Sequence, residues 1–88
     1  MTDKDPVEAI ANRLKDLLAE SSPFAASDID NDTQLADLGM SSLQIQIAAA
    51  QVESAFDIRF DDGELGEIWL FRDLVDTVAR HRNLQRTT

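Results

Sequence analysis

The sequence predicts an all-α fold: a four-helix bundle with three longer helices, one short third helix and a long loop between helices one and two. Three observations carry this. Three segments repeat apolar residues at helical spacing. The stretch "DIRFDDGELGEIWL" between the last two of them holds two glycines, Gly63 and Gly66, which leave room for only a turn or two of helix. No alternation of apolar and polar residues runs long enough to make a convincing strand. A chain of 88 residues is expected to form one domain over residues 1–88, with its core between about 6 and 83.

In the first helix Val7, Ile10, Ala11, Leu14, Leu17 and Leu18 fall at i, i+3, i+4 and i+7 positions. Asp5 is the expected N-cap, with Pro6 at the first helical position and Glu8 three residues beyond the cap. Ser21-Ser22-Pro23 ends the helix, because the residue before a proline is driven out of the helical region. The connection over residues 21–41 exceeds the roughly 12–15 residues beyond which loops tend to be functional. Phe24, Ile29 and Leu35 are expected to pin it to the core. The second helix begins at Ser42 and carries Ile45, Ala48, Ala49, Val52, Ala55 and Phe56 on one face. A short helix around residues 62–67 follows, and the last helix turns Phe71, Leu74, Val75, Val78 and Ala79 to the core. Thr87 and Thr88 are expected to fray.

Composition removes several function classes. There is no cysteine, hence no disulfide, thiolate metal site or thiol nucleophile. The net charge of −9 argues against nucleic acid, since neutralising phosphates requires a basic face. The charge is uneven: residues 28–67 hold ten acids and one base, and residues 68–88 four arginines and two acids. That pattern reads as a solvated surface, or as steering toward basic partners. No apolar run approaches the roughly 20 residues of a membrane span, and "MTDKDPVEAI" lacks the pattern of a signal peptide. A cytoplasmic monomer without membrane partners is the expectation.

The chemistry of interest lies in "DLGMSSLQIQ", residues 37–46, where two adjacent hydroxyls follow a glycine. Ser41 with Gln44 fits the capping box S/T-x-x-E/Q, a cap worth on the order of 1 kcal/mol. Ser42, in the first turn, is left over. A hydrolase elbow requires G-x-S-x-G, but Gly39-Met40-Ser41-Ser42-Leu43 ends in leucine. The single histidine, His81, sits between Arg80 and Arg82 and reads as a solvated helix end. Asp28, Asp30 and Asp32 match the first ligands of a calcium loop, but Thr33 replaces its glycine and Gly39 its last glutamate, so turn acids are the better reading and no metal site is expected. A helix N-terminus offers free N–H groups and partial positive charge, which suit a phosphate. Ser42 is therefore either an ordinary first-turn serine or a tether for a phosphodiester that another enzyme installs.

At these residues the sequence resembles the acyl and peptidyl carrier protein family. The resemblance is clearest in "DTQLADLGMSSLQIQIAAAQVESAFDIRF", residues 32–60, and extends with lower specificity from about residue 6 to 81. It rests on Leu38-Gly39, two variable residues, Ser42-Leu43, and a helix ending in Phe56-Asp57-Ile58. It implies a four-helix bundle without catalysis of its own, whose Ser42 carries 4'-phosphopantetheine installed from coenzyme A by a phosphopantetheinyl transferase. It also implies a loading enzyme (an adenylating enzyme or an acyltransferase) and a downstream acyltransferase, ketosynthase or condensation enzyme. Fatty-acid carriers usually have aspartate before the serine and an acidic second helix. Here Ser41 precedes it, and Glu53 is the only acid between Ser42 and Phe56. The family's frequent proline is replaced by Asp61, and the usual hydroxyl cap of the last helix by Trp69-Leu70. These departures favour a carrier of polyketide or nonribosomal peptide biosynthesis, with a fatty-acid-synthesis carrier as the alternative.

With about 100° per residue, Leu43, Ile47 and Ala50 fall outside the core stripe, beside Ser42. With Gln46 and Met40 they are the expected partner-binding surface, unless the long loop folds over it. Phe60, Leu65, Ile68 and Trp69 resemble the lip of the family's acyl pocket and are the pocket candidates, ordinary core being the other reading. The chain is read as a free-standing carrier, complete from Met1 to a few residues past Asn83. The rival from another class is a helical adaptor that binds its partner noncovalently.

Overall fold

Proline at position 6 opens the first helix of the structure, a computed structural model that describes residues 6–86. Four helices follow in order: α1 (Pro6–Ser21), α2 (Ser42–Phe56), the short α3 (Asp62–Gly66) and α4 (Phe71–Arg86). Two 3-10 turns, Ala26–Asp28 and Leu35–Leu38, shape the long loop. No strand occurs among the described residues, where the only extended pairing is an isolated antiparallel bridge between Gln34 and Leu70. The expected cap Asp5 and the terminal Thr87 and Thr88 lie outside the described residues.

The helical spacing read from the sequence becomes a core around α1, which packs closely against both α2 and α4. Leu14, Leu17 and Leu18 meet Ala48, Val52 and Phe56 of α2 and Phe71, Leu74, Val75 and Val78 of α4 in one buried cluster. Each fully buried aliphatic side chain contributes about 1.5–3 kcal/mol. α2 and α4 are not among the closely packed pairs. Two expectations for α2 are corrected. Ile45 and Ala55, expected on the core face of α2, are exposed, because only the strip bearing Ala48, Val52 and Phe56 is fully covered. Val7, near the start of α1, is exposed as well.

The long loop is held in part as expected. Ile29 is buried and Leu35 packs on the core, but Phe24 is exposed, and Leu38 is buried in its stead. Phe24 stands where the chain leaves α1: its N–H donates to Ser22 Oγ at 3.1 Å, and the Ser22 hydroxyl donates to the Leu38 carbonyl at 2.9 Å. That second bond closes the two ends of the loop on each other and fixes Leu38 just ahead of the paired serines. The loop acids serve turns. Asp30 Oδ1 accepts from the Asp32 N–H at 3.0 Å and from the Thr33 hydroxyl at 3.1 Å.

The loop also caps α4. The first N–H groups of a helix have no intrahelical partner. Here the Phe71 N–H donates to the Thr33 carbonyl at 2.8 Å and the Arg72 N–H to the Asn31 carbonyl at 3.2 Å. The Asp73 carboxylate accepts from the N–H of Leu70 at 2.9 Å and of Trp69 at 3.2 Å. Those two bonds, Leu70 foremost, hold the Asp73 carboxyl below its usual range. α4 thus starts securely without the hydroxyl that Trp69-Leu70 fails to provide. Arg72 adds an ion pair to Asp32, exposed and therefore of small worth.

Gly39 ends the second 3-10 turn at φ 73, the left-handed region that a side chain resists. A Cβ there would meet Pro23 Cγ at 3.4 Å, ordinary contact, so the cost of substitution lies in the backbone. Gly39→Ala is expected to lower stability by about 1–2 kcal/mol, read as a shifted urea midpoint with unchanged slope. An unchanged midpoint would mean that the turn ahead of Ser41 is not set by this conformation.

Candidate functional site

Ser41 is the N-cap of α2, with extended backbone at φ −72, ψ 169. Its hydroxyl accepts from the Gln44 N–H at 3.2 Å, and Gln44 Oε1 accepts from the Ser41 N–H at 2.8 Å. Both bonds of the capping box are present, and the Ser41 hydroxyl is committed to the helix start. Ser42 is the first residue of α2 and exposed, and its hydroxyl has no partner among the described residues. The N–H groups of Ser42 and Leu43 precede those claimed by the cap and open to solvent. No acidic residue occupies the first turn, so the positive end of the helix is not offset there. The two neighbouring hydroxyls thus differ: one holds the helix, the other bonds nothing among the described residues.

Beside Ser42 opens a cavity of about 380 Å³. Ser42, Ala48, Ala49 and Val52 line it from α2. Small side chains at Ala48 and Ala49 make the room. Phe60, Leu65, Gly66 and Ile68 form the opposite wall, and Leu74 reaches it from α4. Phe60, Leu65 and Ile68 are thus brought together at the cavity, with Phe60 also buried in the core. Trp69 is not: it is 72% exposed and does not line the cavity. Its carbonyl is drawn to the Leu35 N–H at 2.9 Å in the pairing of loop with α4, and its side chain is left outside.

The expected partner surface divides. Leu43 is 65% exposed and Ile47 46%, and Ala50 and Gln46 are exposed with them, so the long loop does not cover this strip. Met40 departs from the expectation. It is partly buried against the core and lines the cavity, because Gly39 turns the chain inward just before it. Ile45, Gln46 and Leu35 also line the cavity, which sequence reasoning had not assigned to it. For Ile45 the signal was available, as it lies three residues before Ala48 on the same face.

His81 is the largest correction. It is not a solvated helix end but half-buried, with Nε2 at 2.8 Å and 3.1 Å from the two carboxylate oxygens of Glu64. Its ring stands edge-on to Phe60, centroids 6.0 Å apart at 86°. The Glu64 carboxyl lies below its usual range, first through the N–H of Asp61 and then through His81. Seventeen residues separate the pair, so no sequence spacing announced it.

A family model described as the phosphopantetheine attachment site matches residues 12–78. Among curated proteins, the chain is 37% identical over 71 residues to the non-reducing polyketide synthase dbaI of Emericella nidulans. It is 35% identical over 69 residues to the non-reducing polyketide synthase pks11 of Talaromyces marneffei. The two alignments take in 81% and 78% of this chain and 3% of each synthase, so the chain spans a small part of the length of these relatives. A free hydroxyl at an uncovered helix start, the Gly39 turn ahead of it and the apolar cavity beside it all suit the group that the family carries. The chain belongs to the phosphopantetheine attachment site family, and its cofactor is covalently bound 4'-phosphopantetheine.

Proposed function

We propose that Ser42 is the attachment residue and that the chain carries acyl intermediates of polyketide assembly. One observation carries the assignment. Of two adjacent hydroxyls, that of Ser41 is bonded into the helix cap, while that of Ser42 is free and borders the cavity. The group supplies, when bound, the thiol that a chain without cysteine lacks, and holds the acyl chain there as a thioester. The remaining work of this chain is binding and orientation. The open N–H groups of Ser42 and Leu43 favour the phosphodiester. The cavity between α2 and α3 accepts the apolar part of an acyl chain, and Leu43, Ile47 and Ala50 dock the enzymes that act on it.

The polyketide reading is supported by the relatives, which are polyketide synthases by name, and by the near absence of acid on α2. The partners it implies are a phosphopantetheinyl transferase, a loading acyltransferase and a ketosynthase. The experiment is a comparison of loading routes. After modification from coenzyme A, the chain is offered acyl-coenzyme A with a polyketide acyltransferase. In parallel it is offered an amino acid and ATP with an adenylating enzyme of nonribosomal peptide assembly. Acylation by the first route alone is expected. Aminoacylation by the second alone would overturn the polyketide reading while leaving the carrier role standing.

A further inference from the structure

α3 is the weakest wall of the cavity. It has five residues, and it is absent from the closely packed helix pairs. Two of the five are glycines, yet neither Gly63 nor Gly66 has a positive φ, and a Cβ at either would meet nothing within 4 Å. Neither conformation nor space demands glycine at these positions, and glycine is the poorest helix former short of proline. One turn of such sequence does not hold itself in place. Among the described residues, the polar tie between α3 and α4 is the bond from Glu64 to His81, at 2.8 Å. The same Glu64 oxygen accepts from the Asp61 N–H at 2.9 Å and so also caps the start of α3.

The tie is placed to act on the cavity. Leu65 and Gly66, next to Glu64, line it, as does Phe60, against whose ring His81 stands. Both partners are mostly shielded, with side chains 21% and 23% exposed, so water screens the pair less than it would a surface ion pair. Other charged groups nearby are Glu67, just after α3, and Asp73, Asp76 and Arg80 of α4, while Arg82 is occupied with the Phe56 carbonyl at 3.0 Å.

We propose that Glu64 and His81 are positioning residues that hold α3 closed against the cavity, and that this pair sets how well an apolar acyl cargo is shielded. The shielding rests on the reading of the cavity as the cargo's resting place; the positioning of α3 does not.

Two readouts keep these apart. The first is backbone amide exchange of the unmodified protein. His81→Phe keeps a ring against Phe60 and removes the bond; His81→Gln keeps an N–H donor and removes the ring. His81→Phe is expected to speed exchange at residues 64–68 at least fivefold with α2 amides unchanged, and His81→Gln to restore most of the protection. Glu64→Gln retains an acceptor for Asp61 and removes the charge facing His81. It is expected to speed exchange in the same region, and it decides the matter if His81→Phe fails to fold. Unchanged exchange in the folded variants, or equal loosening in His81→Phe and His81→Gln, would overturn the proposal. The second readout is hydroxylamine cleavage of an octanoyl thioester on the modified protein, set against free octanoyl-pantetheine. Wild type is expected to be cleaved more slowly than the free compound, and His81→Phe at least threefold faster than wild type. Arg72→Ala, which breaks only the exposed pair with Asp32, should change neither readout. If wild type is cleaved as fast as the free compound, the cavity does not hold the cargo and the shielding claim falls, while amide exchange still decides what positions α3.

Discussion

Ser42→Ala is expected to abolish the mass that the chain gains on incubation with coenzyme A and a phosphopantetheinyl transferase, and Ser41→Ala is not. The contrast follows from geometry. The Ser41 hydroxyl accepts from the Gln44 N–H, and its position is fixed by that bond. Removing it costs the cap, roughly 0.5–2 kcal/mol of stability, and leaves Ser42 still free at the first position of α2. Removing the Ser42 hydroxyl costs little stability, since it bonds nothing among the described residues, but takes away the hydroxyl at the helix start that the cap does not hold. The two variants should therefore separate: one loses modification and keeps its melting temperature, the other keeps modification and melts lower. Modification persisting in Ser42→Ala would transfer the role to another hydroxyl and sink the assignment.

Ile47→Glu is expected to weaken binding of an acyl-transferring partner at least tenfold while leaving the melting temperature nearly unchanged. Ile47 is 46% exposed and stands on the strip with Leu43 and Ala50, outside the buried cluster. A carboxylate there can remain in water in the free chain but must be desolvated at an apolar interface. Burying an aliphatic side chain is worth about 1.5–3 kcal/mol, and a tenfold loss is about 1.4 kcal/mol. The same surface should make the affinity nearly indifferent to salt between low and physiological ionic strength. The single acid of α2, Glu53, is engaged by the Phe60 N–H at 2.8 Å rather than presented to a partner. Unfolding of Ile47→Glu would mean that the residue is core after all. A steep decline with salt would hand recognition to acids such as Asp37 in the loop.

What the sequence disclosed, and what it hid, divides along the range of the interactions. The capping box of Ser41 and Gln44 was legible because both partners lie within one turn, and periodicity alone marked α1, α2 and α4. The shortness of α3, a turn or two, was legible through its two glycines. Periodicity shows which residues share a face, not how much of that face a neighbour covers. Ile45 and Ala55 were placed in the core for that reason, while in the fold only the strip bearing Ala48, Val52 and Phe56 is fully covered. Phe24 was assigned inward on apolar character and Trp69 on resemblance to the lip of the family's acyl pocket, but backbone bonds beside them decide where the chain runs. The capping of α4 by the Thr33 and Asn31 carbonyls left no trace in residue types, because any residue offers a carbonyl. The Glu64–His81 tie was hidden similarly, joining elements that local spacing cannot relate.

The most direct test of the account is to locate the group on the unaltered chain. After modification from coenzyme A, the peptide spanning Gly39, Met40, Ser41, Ser42 and Leu43 is fragmented in the mass spectrometer. The account predicts one phosphopantetheine per chain, with the mass step falling at Ser42 and an unmodified Ser41 on the fragment that separates the two. A step at Ser41, or at Ser54 or Ser27 elsewhere in the chain, would contradict it.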